Sequence, residues 1–124
     1  MISRELICAA ICAAYATGAL AQEQTFKVSN TTPNCRDSST VTHRVCLPDG
    51  KKIRTWSIKT ISAAGTRHDI VSQEIAPGAP NCLQIVTAVS PNGEDCISIP
   101  FASPICNCKG RGWIELDVRV IPDS

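Results

Sequence analysis

Six cysteines between residues 35 and 108 constrain this 124-residue chain more than any other feature: Cys35, Cys46, Cys82, Cys96, Cys106 and Cys108. In an exported chain an even set of this kind reads as three disulfides. Each bridge adds about 2 to 4 kcal/mol, so three rival the whole stability of a marginal domain. Cys106 and Cys108 stand two residues apart, where a mutual bond would close a strained ring, so each is expected to bond elsewhere. The reading adopted here pairs Cys35 with Cys46, and Cys82 with Cys106 or Cys108.

Export is expected from the first residues. Arg4 and Glu5 precede a charge-free run from Leu6 to Gln22 that contains Cys8 and Cys12 as small hydrophobes. The run is too short for a spanning helix and ends in Ala19-Leu20-Ala21, the small-x-small pattern of a signal-peptidase site. Cleavage is placed between Ala21 and Gln22, giving a signal peptide over 1–21 and one β-sandwich domain over 22–124. The destination is the extracellular space or a periplasm, with no membrane span after cleavage. Lysine and arginine number 12 against 11 acidic residues. Loss of Arg4 and Glu5 leaves the balance unchanged. Such near-neutrality argues against a polyanion-binding role.

Past residue 22 the chain alternates in short runs separated by turn dipeptides, with no apolar period of 3.6 residues. Thr25–Val28 predicts an edge strand, followed by a polar loop from Ser29 to Ser39. Val41, His43, Val45 and Leu47 share one face of a strand that ends at Pro48-Asp49-Gly50. Asp-Gly is the strongest short hairpin signal, and the register it implies sets Val41 opposite Ile58 and His43 opposite Trp56. Ser62–His68 reads as a loop or a crossing between sheets. Extended character resumes from Ile70 to Ala76, before the break at Pro77-Gly78-Ala79-Pro80. Leu83–Val89 is apolar nearly throughout, as in a central strand. A second hairpin is expected at Asn92-Gly93, leading into Ile97–Phe101 with Cys96 opposite Val89. That register separates Cys82 from Cys96 and forbids a bond between them. Ile114, Leu116, Val118 and Val120 alternate with Glu115, Asp117 and Arg119, which marks a half-buried antiparallel strand.

Six or seven short strands in about 100 residues favour an all-β, disulfide-stapled antiparallel sandwich. It resembles immunoglobulin-like sandwiches in architecture alone. Neither their spaced Cys…Trp…Cys pattern nor another family motif is present.

The chemistry-bearing residues are few. His43 on an apolar face reads as a packed histidine, and His68 and Asp69, being adjacent on an extended chain, point to opposite faces and form no dyad. Cys106-Asn107-Cys108 could offer two thiolates to a soft metal or act as a redox pair, but half-cystines are the better reading. No catalytic residue, metal or cofactor is therefore assigned. Asn30-Thr31-Thr32 is a glycosylation sequon in an expected polar loop. Phe26, Trp56, Phe101 and Trp113 are too few aromatics to form a nucleic-acid stacking platform. The remaining constellation is Lys109-Gly110-Arg111-Gly112-Trp113, a basic glycine-containing loop with an indole, held between half-cystines and the last strand. Lys109, Arg111 and Trp113 are the candidate binding residues, because Arg forks onto carboxylates and Trp anchors interfaces. The expected function is an exported, non-enzymatic module that recognises another protein through its loops, of inhibitor, adhesin-accessory or envelope-component type. The alternative is an exported thiol-redox, metal-binding or hydrolytic protein using Cys106/Cys108 or His43/His68.

Overall fold

The computed structural model describes residues 22–123, so the expected signal peptide and its cleavage site lie outside the described residues. Within them the chain forms eight strands: β1 (Gln24–Thr31), β2 (Ser39–Cys46), β3 (Ile53–Ala64), β4 (Arg67–Ile75), β5 (Cys82–Ser90), β6 (Gly93–Ile97), β7 (Ile105–Gly110) and β8 (Trp113–Pro122). Two three-stranded sheets, ordered β1-β8-β3 and β2-β5-β4, make the sandwich, and β6 and β7 form a separate two-stranded ribbon. All pairings are antiparallel. Among the described residues no helix is long and apolar enough to cross a membrane.

The core lies where the two central strands face each other. Period-2 alternation sends Ile114, Leu116, Val118 and Val120 of β8 inward, against Leu83, Ile85 and Val89 of β5, all of them buried. Full burial of an aliphatic side chain of this size is worth about 1.5–3 kcal/mol. Val45, Leu47, Phe26, Val28, Trp56 and Ile58 pack around this stripe from the edge strands and the residue after β2. Leu83–Val89 is the central strand its apolar run implies. Thr25–Val28 lies on an edge strand as read, though β1 extends to Thr31 and takes in part of the expected loop.

Both hairpin registers expected from sequence are wrong. β2 pairs with β5, with His43 beside Ile85, while β3 pairs with β8, with Trp56 beside Val120. The Asp49-Gly50 turn does form, closed by the Lys51 amide on the Pro48 carbonyl at 3.1 Å. A type I′ hairpin needs positive φ at both central residues, and here only Gly50 has it, at 86°. The flanking strands therefore separate into different sheets. Segment 47–53 bonds instead to the β4–β5 connection, Leu47 to Asn81 and Ile53 to Pro80. At Asn92-Gly93 the chain leaves β5 for the ribbon, and Cys96 stands opposite Cys106 rather than Val89. The crossing expected near Ser62–His68 is real. It occupies only Gly65 and Thr66, as β3 of one sheet passes into β4 of the other.

The disulfides are Cys35–Cys108, Cys46–Cys82 and Cys96–Cys106. Cys106 and Cys108 do avoid each other, and Cys82 does not bond Cys96. The pairings of Cys35 with Cys46 and of Cys82 with Cys106 or Cys108 are overturned. The reason is registry, since Cys46 and Cys82 are direct partners across β2 and β5, as are Cys96 and Cys106 across β6 and β7. Cys108, two residues along β7, is then left to reach Cys35 in the loop after β1. Three such bridges in a small β-sandwich belong to an oxidising compartment.

Candidate functional site

The ribbon is the one described element that lies outside the sandwich, and it is fixed at its base. Cys35–Cys108 ties β7 to the loop after β1, while Cys96–Cys106 staples the two ribbon strands together. The Asn92 amide donates to the Gly110 carbonyl at 2.9 Å. Arg36 Nε lies 3.5 Å from Glu94, and Lys109 Nζ 3.7 Å from Asp95. Exposed ion pairs like these set orientation and add little stability. The loop holding Cys35 and Arg36 is itself ordered by Asn34, whose Oδ1 accepts from the amides of Arg36 and Asp37 at 2.8 and 2.7 Å. Turns closed by an asparagine side chain are preferred for this reason.

Sequence reading places a tethered glycine-containing loop at Lys109–Trp113, whereas the structure builds a two-residue crossing between β7 and β8. Gly112 is buried and exchanges two hydrogen bonds with Thr32: the Thr32 amide donates to the Gly112 carbonyl at 2.8 Å, and the Gly112 amide donates to Thr32 Oγ1 at 3.0 Å. A Cβ on Gly112 would stand 2.5 Å from the Ser90 carbonyl oxygen. The glycine thus serves close packing of three backbone segments, not flexibility. Arg111 is exposed between these clamped positions. Trp113 lies on the outer face of β8, partly exposed, with its indole Nε1 donating to Ser62 Oγ at 3.0 Å. It does not cap the core. Lys109 lies on β7 of the ribbon, and Arg111 and Trp113 follow directly after it; all three are exposed, Trp113 at 37%.

Sequence reasoning missed the far end of the ribbon. Ile97, Ile99, Phe101 and Ile105 are all exposed, and no charged residue occurs between Asp95 and Lys109. Ile97–Phe101 reads as a strand, but β6 stops at Ile97 and β7 is exposed along nearly its whole length. A ribbon wet on both faces has no buried side to impose alternation. The legible signal was compositional, an apolar run without charge from Cys96 to Cys108, interrupted by Pro100 and Pro104.

The remaining candidates are accounted for structurally. Cys106 and Cys108 are engaged in two different disulfides, so neither offers a thiolate. Glu94 lies beside Cys96 and Cys106, but those sulfurs are bonded to each other, which leaves one carboxylate and no ligand set. His43 and His68 sit on the two edge strands of one sheet with β5 between them. Asp69 pairs with Arg67 at 2.6 Å, not with His68. His43 Nε2 lies 2.8 Å from Thr87 Oγ1, and burial holds its pKa below the usual value. It is a packed, hydrogen-bonded histidine. The Asn30 sequon is not on an exposed loop: Asn30 is buried on β1 and its amide bonds to Thr87 and Ser39. Comparison with protein-family models, curated proteins and solved structures finds no match to this chain.

Proposed function

We propose that the domain is an exported, non-enzymatic recognition module, secreted or periplasmic, that holds another protein through the β6–β7 ribbon and its continuation Lys109–Trp113. The observation that carries this reading is the anchoring of the ribbon by Cys35–Cys108 and a clamped glycine crossing, with its two strands stapled by Cys96–Cys106. Prior ordering of a contact surface removes entropy that binding would otherwise lose. Export is supported by the charge-free run ending at Ala19-Leu20-Ala21 and by the three disulfides.

The test is site-specific photocrosslinking in the exported fraction of the producing cells. A photoreactive residue at Arg111 should join the chain to one protein species. The same residue at Arg54, near the end of β8 remote from the ribbon, should give no such product. Replacing Arg111 with Ala should weaken that association by about 1–3 kcal/mol while leaving the melting temperature unchanged, because an exposed arginine contributes little to the fold. Crosslinking at Arg54 alone would place recognition elsewhere.

A further inference from the structure

The ribbon ends in a turn with an unusual occupant. The Ala102 amide donates to the Ile99 carbonyl at 3.2 Å, which makes Pro100 and Phe101 the two central residues of a four-residue turn. Phe101 has φ of 61°, alone among the non-glycine described residues in being positive. Proline at the first central position and positive φ at the second is the pattern of a type II turn, whose second position normally takes glycine or asparagine. A phenylalanine there carries backbone strain that glycine would not. The strain is not repaid inside the domain, since the side chain is fully exposed at 108%. Strain held at an exposed bulky residue points to a role outside the chain.

We infer that Phe101 is an anchor that enters an apolar pocket on a folded protein partner, with Ile97, Ile99 and Ile105 packing around the pocket mouth. This rests on the reading of the ribbon as a recognition element. Ile97 and Ile105 are direct cross-strand partners and so share one ribbon face. The pocket is uncharged, because no charged residue occurs from Cys96 to Cys108. At the ribbon base Glu94 pairs with Arg36 and Asp95 with Lys109, away from the tip.

The same features disfavour a lipid surface. In segment 98–104 only the Ala102–Ile99 backbone bond forms among the described residues, so several amides and carbonyls are open. Hydrocarbon offers them no partner, whereas a protein pocket's rim does. From Gly93 to Gly112 two acidic residues, Glu94 and Asp95, stand against two basic ones, Lys109 and Arg111, so no cationic excess draws the ribbon to anionic headgroups.

The experiment has two arms. In the first, Phe101→Gly is compared with the parent by thermal melting. An equal or higher melting temperature is expected, and a lower one would overturn the inference by showing that Phe101 serves the fold. In the second, benzoylphenylalanine replaces Phe101 in the full exported chain, alongside the probe at Arg111. The expected product is a crosslink from position 101 to the species caught at 111, mapped to an apolar concavity, and competed away at least tenfold less well by Phe101→Ser than by the parent. A crosslink at 111 with none at 101 sinks the anchor but keeps the recognition reading. No crosslink at either position overturns both. Crosslinking to a second copy of this chain, or Phe101-dependent flotation with vesicles of phosphatidylcholine and phosphatidylglycerol, would also overturn the proposal.

Discussion

Asn30 on β1 donates from Nδ2 to Oγ1 of Thr87 on β5 at 3.1 Å, a polar bond between the two sheets. Thr87 is fully buried in the inward stripe of β5, where the neighbouring inward residues Ile85 and Val89 are aliphatic. Asn30 Nδ2 also reaches the Thr87 and Ser39 carbonyls, and its Oδ1 accepts from Ser39 Oγ at 2.7 Å. Thr87 Oγ1, having accepted from Asn30, is free to donate onward to His43 Nε2. The chain of donors runs from Asn30 through Thr87 to His43, with His43 neutral and its proton assigned to Nδ1.

Removing the first member leaves buried acceptors without partners. Asn30→Ala should therefore destabilise the domain by about 2–4 kcal/mol, read as a lowered urea midpoint. A glycan on this nitrogen would break the same bonds. Protein produced in a glycosylating secretory pathway should thus carry no sugar at Asn30 when folded, as intact mass would show.

His43 makes stability depend on pH. Burial lowers its folded-state pKa below the unfolded value of 6.5. On acidification the unfolded chain takes up this proton first, so the contribution is fully present above pH 6.5 and is lost as pH falls below it toward the folded pKa. Protonation would also make Nε2 a donor facing the Thr87 hydroxyl, leaving that hydroxyl proton without an acceptor. The melting temperature should fall between about pH 7 and about pH 5, and His43→Gln should flatten that slope. An unchanged slope in the variant would assign the effect to other groups.

Gly112→Ala tests the crossing between ribbon and sandwich. Its new methyl would press on the Ser90 carbonyl at 2.5 Å and disturb the paired bonds with Thr32. A loss of about 1–3 kcal/mol is expected, without change in disulfide pairing. Melting and non-reducing peptide maps of the variant check both parts.

The disulfides should contribute unequally. In the chain-entropy account a bridge across 73 residues adds about 4 kcal/mol and one across 10 residues about 3 kcal/mol. Cys35 is also buried, while Cys96 and Cys106 are exposed. Replacing Cys35 and Cys108 together by Ala should lower the denaturant midpoint more than replacing Cys96 and Cys106. The reverse order would show that the ribbon staple matters more than its attachment.

What the sequence determined by itself was local. Alternation in Ile114–Val120 and the apolar run Leu83–Val89 declared the two central strands, because a strand with a buried face must repeat every two residues. The even number of cysteines declared three bridges, and the closeness of Cys106 to Cys108 excluded one pairing. The turn at Asp49-Gly50 was equally legible. Tertiary structure alone decided which strands meet: β1 with β8 across nearly the whole described chain, and β2 with β5 in place of β3. Such pairings reward burial of two sheets against each other, a gain no short window of residues contains. Cysteine partners followed from those registers, and so did the burial of Asn30 and Gly112. The exposed tip at Phe101 was illegible for the opposite reason, since a turn without a buried face leaves no periodic trace, and its strain exists only in the backbone angle.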